Sequence, residues 1–338
     1  MAENGEVNGH RPGRLLRRLS PGLGLGGGAG LGDVPGYAAP AVAATTALRA
    51  NVPPTARTAR MLGTEREGNA VIIDGDGLAL TIGYLILECH GIELMDADGG
   101  WVDAAFIAYD FETGFGLARA QAPLGVAPVE LGDSSRIGQD DAVVLAGQGG
   151  TDYAMLAKVV ARREFAGYWE YLLDEALFTA PAYPNWSGAA LVGADGRLGA
   201  IGSLLVEDAG PGGRQLQGNM FVPIDLLKPI LGELVANGRV ARQTRPWLGM
   251  FTAEMEGMLV IAQVASGGPA ERAGLRSGDV VVRVDRIPIG GLASFYRAVW
   301  GLGPAGTEVP LTVVREGSGF EITLRSVDRY DFYRTPRA

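Results

Sequence analysis

From Arg66 onward the chain is a succession of short apolar runs, each closed by a turn, and that spacing limits the folds open to it. Residues 69–73 read as a strand ended by Asp74-Gly75-Asp76-Gly77. Runs at 78–81 and 92–95 follow, then the turn Asp96-Ala97-Asp98-Gly99-Gly100, then runs at 101–108 and 115–118. Further runs at 141–146, 155–161, 189–192 and 198–205 continue the series. Short strands separated by turn signals at about ten-residue spacing indicate a sandwich or a barrel, so the expected class is mainly β. Glycine supports this: 52 of 338 residues is about twice the usual share, and dense Gly in a folded body means many turns.

Charge and rare residues exclude several functions. The formal charge is −9. Residues 1–65 carry 7 Arg against 4 acidic residues, so the rest is more acidic still. An acidic body repels phosphate backbones, which argues against a nucleic-acid partner. The single cysteine, Cys89, cannot form an intramolecular disulfide. Only His10 and His90 are available for histidine chemistry. No apolar stretch of about 20 residues lacks charge, Gly or Pro, so no transmembrane segment is expected.

Residues 1–65 read as a disordered Gly/Ala/Pro-rich tail, with a basic stretch and Gly/Leu repeat that make a poor secretory signal. A helix is expected over 226–237: Leu227, Ile230, Leu231 and Leu234 share one face, with Asp225 as N-cap and Gly238 as terminator. Residues 239–246 read as a linker. Residues 247–328 mix strand and helix patterns over the length of one small domain, and 329–338 read as a C-terminal tail.

Several segments, in order, resemble the Deg/HtrA family of trypsin-like serine proteases. Residues 69–81 resemble its strand-turn-strand entry to the catalytic His. Residues 110–117 resemble the stretch carrying the catalytic Asp. Pro184-Asn185-Trp186-Ser187-Gly188 resembles the nucleophile loop. Leu131-Gly132-Asp133-Ser134 and Val222-Pro223-Ile224 match as well. Trp247-Leu248-Gly249-Met250 and residues 266–279 resemble the carboxylate loop and the Ala-Gly-Leu-x-x-Gly-Asp signature of the family's PDZ domain. The resemblance implies a trypsin-like double β-barrel over 66–238, then an α+β PDZ domain over 239–328, with no cofactor and no metal site.

The triad departs from the family. The resemblance puts Tyr84 at the His position and Gly114 at the Asp position, leaving Ser187 as the vestigial nucleophile. A serine hydroxyl without an adjacent base is a weak nucleophile. Tyrosine, with a pKa near 10, is already protonated at neutral pH and cannot take the proton. In the oxyanion loop, Asn185 replaces a glycine whose freedom suits an unusual dihedral region, and bulky Trp186 stands where relatives keep a small polar residue. His90, Asp110 and Cys89 are weak substitutes. Glu88, Cys89 and His90 diverge along a strand and make a poor metal site.

The peptide-binding residues implied by the resemblance are Trp247, Leu248, Gly249 and Met250, whose loop N–H groups would hold a peptide carboxylate beside an added strand. The alternative at this point is a groove closed by packing. The expected function is a catalytically inactive Deg/HtrA-like homologue that binds peptide C-termini or unfolded proteins, or regulates an active relative, as a homo- or hetero-trimer. Two other readings stay open: an active serine endopeptidase with a non-standard base, and a structural scaffold. The resemblance implies a periplasmic location; without a clear signal peptide the cytoplasm is the alternative.

Overall fold

The computed structural model describes residues 34–168 and 171–333. The basic Gly-rich segment of residues 1–33, and with it the sequence's signal-like stretch, lies outside the described residues, as do 334–338. The described chain forms two compact units. One comprises residues 34–164 and 174–240; the other comprises 241–333 together with Phe165–Leu173.

The first unit departs from the expected tail. A short helix α1 (Ala39–Ala43) leads into strand β1 (Thr45–Asn51), and helix α2 (Ala59–Leu62) precedes β2 (Glu65–Ile72). The expectation of a disordered tail to residue 65 is therefore corrected for residues 34–65. β1 pairs with β2 on one side (Thr45↔Val71) and with β4 (Gly91–Met95) on the other (Leu48↔Leu94), which closes the first barrel. With β3 (Leu78–Ile82), β5 (Trp101–Tyr109) and β6 (Phe115–Ala120), its order is β1-β2-β3-β6-β5-β4. β1 hid in the sequence because, after Thr45 and Thr46, its residues are Ala47, Leu48, Arg49, Ala50 and Asn51, none of them β-branched or aromatic.

The turns have a local cause. Asp74 Oδ1 accepts the N–H groups of Asp76 and Leu78, and Asp96 Oδ1 those of Asp98 and Gly100. Each carboxylate thus ends its strand by binding its own backbone.

A second closed barrel follows: β7 (Ala142–Ala146), β8 (Met155–Gly167), β9 (Tyr171–Ala180), β10 (Ala190–Val192), β11 (Leu198–Val206) and β12 (Gly218–Pro223), in the order β10-β11-β12-β9-β8-β7. Val143, Leu145, Val159, Leu177, Leu191 and Phe221 fill it. The expected helix is shorter than its pattern: helix α3 spans Leu231–Asn237 after a 3-10 turn at Ile224–Leu226. Asp225 does not cap it. Its carboxylate accepts from Ser134 Oγ, Ser135 N and Lys228 Nζ instead. Pro229 also disfavours the α region for the residue before it. Gly238 ends α3 in the left-handed region, φ 72°, as the pattern requires.

The second unit is a small mixed domain. Its elements are β13 (Met250–Met255), β14 (Met258–Val264), α4 (Pro269–Arg272), β15 (Val280–Val284), β16 (Ile287–Pro288), α5 (Leu292–Gly301), β17 (Glu308–Arg315), β18 (Ser318–Arg325) and α6 (Arg329–Phe332). The sheet order is β13-β14-β15-β17-β18, with β16 beside β15. Leu248, Ile261, Phe295, Val299 and Val313 centre its core. The expected tail from 329 is corrected for 329–333. Asp328 caps α6 by accepting the Tyr330 N–H, and Phe332 and Tyr333 pack on Trp247 at 4.4 and 5.6 Å between ring centroids.

One ion pair should make this unit acid-sensitive. Asp279, 1% exposed, takes a two-pronged contact from Arg315 at 2.6 Å and the Arg276 N–H at 2.9 Å. Burial works to raise its pKa, but the Arg315 fork and the other partners outweigh it and hold the carboxyl below its ordinary value. A folded pKa below the unfolded one adds stability above the unfolded value and loses it as pH falls through the folded one. Urea unfolding of the second unit should therefore show stability falling below about pH 4. In Asp279→Asn that pH dependence should shrink, because the carboxyl whose pKa is held down by the Arg315 fork is gone.

Candidate functional site

Ser187 sits on the loop before β10, 5% exposed. Its Oγ lies 2.7 Å from Tyr84 Oη, and Tyr84 Oη lies 2.8 Å from the Ser203 carbonyl oxygen on β11. The carbonyl can only accept, so the single phenol proton goes to Ser203 O. Ser187 then donates its own proton to Tyr84 Oη. The array runs from serine hydroxyl to phenol to carbonyl, and no member of it takes up a proton near neutral pH. The structure thus brings Tyr84 and Ser187 together.

Tyr84 is presented by a tight turn. After β3 the chain makes a 3-10 turn over Gly83–Leu85, with Ile86 and Leu87 N–H on Gly83 O. Gly83 is required by contact: a Cβ there would overlap the Tyr109 ring. The Gly83 N–H donates to Gly114 O at 2.7 Å, and Gly114 has φ 81°. Gly114 therefore offers a backbone carbonyl from a left-handed turn.

Beneath the turn lies Arg66, 1% exposed, which the motif comparison gave no reason to single out. Its Nη1 donates to Tyr84 O at 2.7 Å and Leu87 O at 2.8 Å, its Nε to Gly63 O, and its Nη2 to Thr58 Oγ1. Thr58 in turn donates through N and Oγ1 to buried Glu88. Burial pushes the Arg66 pKa down to about 10, partly opposed by Glu88, so it stays charged at pH 7. The buried cation fixes the backbone that aims the phenol. Its sequence signal was faint: one Arg on an otherwise strand-like stretch.

The nucleophile loop is strapped by Asn69 of β2. Asn69 N donates to Ser187 O at 2.8 Å. Its Nδ2 donates to Asn185 O at 2.8 Å and Ser187 O at 2.9 Å, and its Oδ1 accepts from Gln148 N. Asn185 does not take the positive φ expected of a glycine replacement; its carbonyl is held by Asn69. Trp186 is buried, 8% exposed.

The other candidates are placed elsewhere in the chemistry. Asp110, 1% exposed, accepts the Thr113 N–H and Oγ1–H and so closes its own turn. Cys89 is buried and its thiol is pushed up to about 12 by burial, which keeps it protonated. His90 is exposed, and its N–H donates to Asn51 O.

In the second unit, Trp247, Leu248 and Met250 are each 1% exposed. Gly249 has φ 70°, with its carbonyl accepting from Ala265 N, while Leu248 O accepts from Ala270 N. The loop leads straight into β13, whose end is tied to the start of α5: Glu254 Oε1 accepts the Leu292 N–H at 2.5 Å.

Comparison with known proteins agrees with this arrangement. Residues 68–201 match the trypsin-like peptidase domain, and residues 246–325 match the PDZ domain. Over these stretches the chain therefore has the fold of a trypsin-like peptidase domain followed by that of a PDZ domain. It is 28% identical over 274 residues to a probable periplasmic serine endoprotease DegP-like of Pseudomonas fulva (strain 12-X), covering 76% of this chain and 55% of that one. It is 25% identical over 272 residues to the periplasmic serine endoprotease DegP of Escherichia coli (strain K12), covering 76% and 56%. The chain thus spans about half the length of these curated relatives. Among solved structures, the HtrA-type protease AlgW with decapeptide shares the fold, with TM-score 0.50 and 23% identity over 89% of this chain and 99% of that one.

Proposed function

We propose that this chain is a non-cleaving homologue of the Deg/HtrA proteases that recognises peptide C-termini or unfolded protein through its PDZ domain. The single observation that carries the reading is the array Ser187–Tyr84–Ser203 O, with 2.7 and 2.8 Å links. Acyl transfer needs a base that takes the serine proton and later returns it to the leaving group. Here the serine's proton rests on a phenol oxygen that already carries one. Loss of the base in an intact serine protease costs about 10⁶ in kcat. Peptide recognition is supported by the PDZ match and by the loop 247–250 running into an edge strand, the arrangement for strand addition.

A fluorophosphonate probe tests the first half. No adduct should form on Ser187, and casein should survive prolonged incubation. A Ser187 adduct, with casein cleavage that disappears in Ser187→Ala, would instead establish an active endopeptidase.

A further inference from the structure

After β18 the chain returns to the start of the second unit. Ser326 N and Oγ donate to Thr307 O, and Trp247 and Val327 exchange both backbone hydrogen bonds, at 3.1 and 3.0 Å. Helix α6 then lays Phe332 and Tyr333 on the Trp247 indole, and these two rings meet edge to face, 5.3 Å apart at 89°. The same indole bears on the loop that follows it. Its Cη2 lies 3.3 Å from where a Cβ on Gly249 would stand, with Pro269 Cδ at 3.1 Å. Gly249 has φ 70° and no side chain to fix that conformation, so the shape of the loop depends on what packs around it. Trp247 is in turn held by packing and not by its polar atom. It is 1% exposed, and its Nε1 has no hydrogen-bond partner among the described residues. A buried unpaired donor works against burial. The indole therefore stays in place through its backbone bonds to Val327 and the rings laid on it.

We propose that Phe332 and Tyr333 are positioning residues of the 247–250 loop. Docked on Trp247, they hold the indole against Gly249 and keep the loop in the shape that receives a peptide carboxylate; lifted, they release it. The proposal rests on the peptide-binding half of the function above. Only molecules with the indole in place are competent, so apparent affinity falls with the competent fraction. Peptide recognition is thereby tied to a segment that lies after the last strand of the sheet.

Hydrogen–deuterium exchange on the full chain tests this. The reporter is the fragment 263–272, because the Ala265 and Ala270 amides donate to Gly249 O and Leu248 O. In Phe332→Ala/Tyr333→Ala it should exchange about tenfold faster, the weight of lost aromatic contacts, while fragments of β15 and β17 match the parent. The ring-preserving Phe332→Tyr/Tyr333→Phe should keep parental exchange. In parallel, a pool of fluorescein-labelled decapeptides with randomised last four residues and free carboxylates is titrated by anisotropy. Half-saturation should need about tenfold more protein in the alanine variant than in the parent. Unchanged exchange of 263–272 in the alanine variant overturns the proposal, whatever the pool does. So does the same acceleration in the ring-preserving variant, or a parental half-saturation in the alanine variant. Faster exchange confined to 263–272, with no binding of the pool even by the parent, supports the positioning of the loop and removes the peptide-binding reading. Should the alanine variant also loosen β15 and β17, the single Phe332→Ala decides. Faster exchange confined to 263–272 supports the proposal there; parental exchange, or loosening of the whole sheet, overturns it.

Discussion

Tyr84→His combined with Gly114→Asp is expected to give no measurable casein hydrolysis and no phosphonate adduct on Ser187. The imidazole alone would stand near the serine, but a working triad also needs a carboxylate on its far nitrogen to fix the tautomer and hold the imidazolium. Residue 114 cannot simply supply one. Its backbone is left-handed, φ 81°, and its carbonyl is committed to the Gly83 N–H at 2.7 Å. An Asp there pays roughly 1–2 kcal/mol for the left-handed backbone. The nucleophile loop is a second, independent obstacle. Asn69 Nδ2 and N hold the Asn185 and Ser187 carbonyls, and Asn185 lacks the positive φ. Losing one oxyanion donor alone costs about 10²–10³ in kcat. Turnover in the double variant within a hundredfold of an intact relative's would sink this account of the loop.

Gly188→Ala is expected to cost about 4 kcal/mol or more of folding stability in urea unfolding, the size associated with a definite steric mechanism. Gly188 has φ 74°, and a Cβ there would overlap the Asn69 carbonyl oxygen, with Thr81 Oγ1 at 2.7 Å. That carbonyl is itself fixed by the Thr81 hydroxyl at 2.7 Å. Neither side can retreat without parting β2 from the nucleophile loop. The glycine next to the serine is thus required by packing, whether or not the serine reacts. A loss below about 1 kcal/mol would mean that the loop shifts freely.

Most of the fold was legible before any coordinates. The carboxylate turns at Asp74 and Asp96 and the αL stop at Gly238 are local effects, and local effects leave local sequence marks. What escaped was set by distant partners. β1 reads as an Ala-rich stretch, and only its two neighbours, β2 and β4, make it a strand. Asp225 reads as a cap, but Ser134 and Ser135, some 90 residues away, take its carboxylate. The short helix α6 reads as tail until Trp247 offers Phe332 and Tyr333 a surface.

The site divides the same way. Sequence alone pointed to two kinds of domain, and its resemblance to the family implies a phenol and a glycine where a base and its carboxylate would be. It could do so because residue identity at a motif position is a local fact. Only the tertiary structure decided that the phenol bridges Ser187 and the Ser203 carbonyl and that a buried Arg66 aims it. Those contacts join residues 18 to 119 positions apart, and their geometry exists only once the barrels have closed and burial has made each hydrogen bond costly to leave unmade.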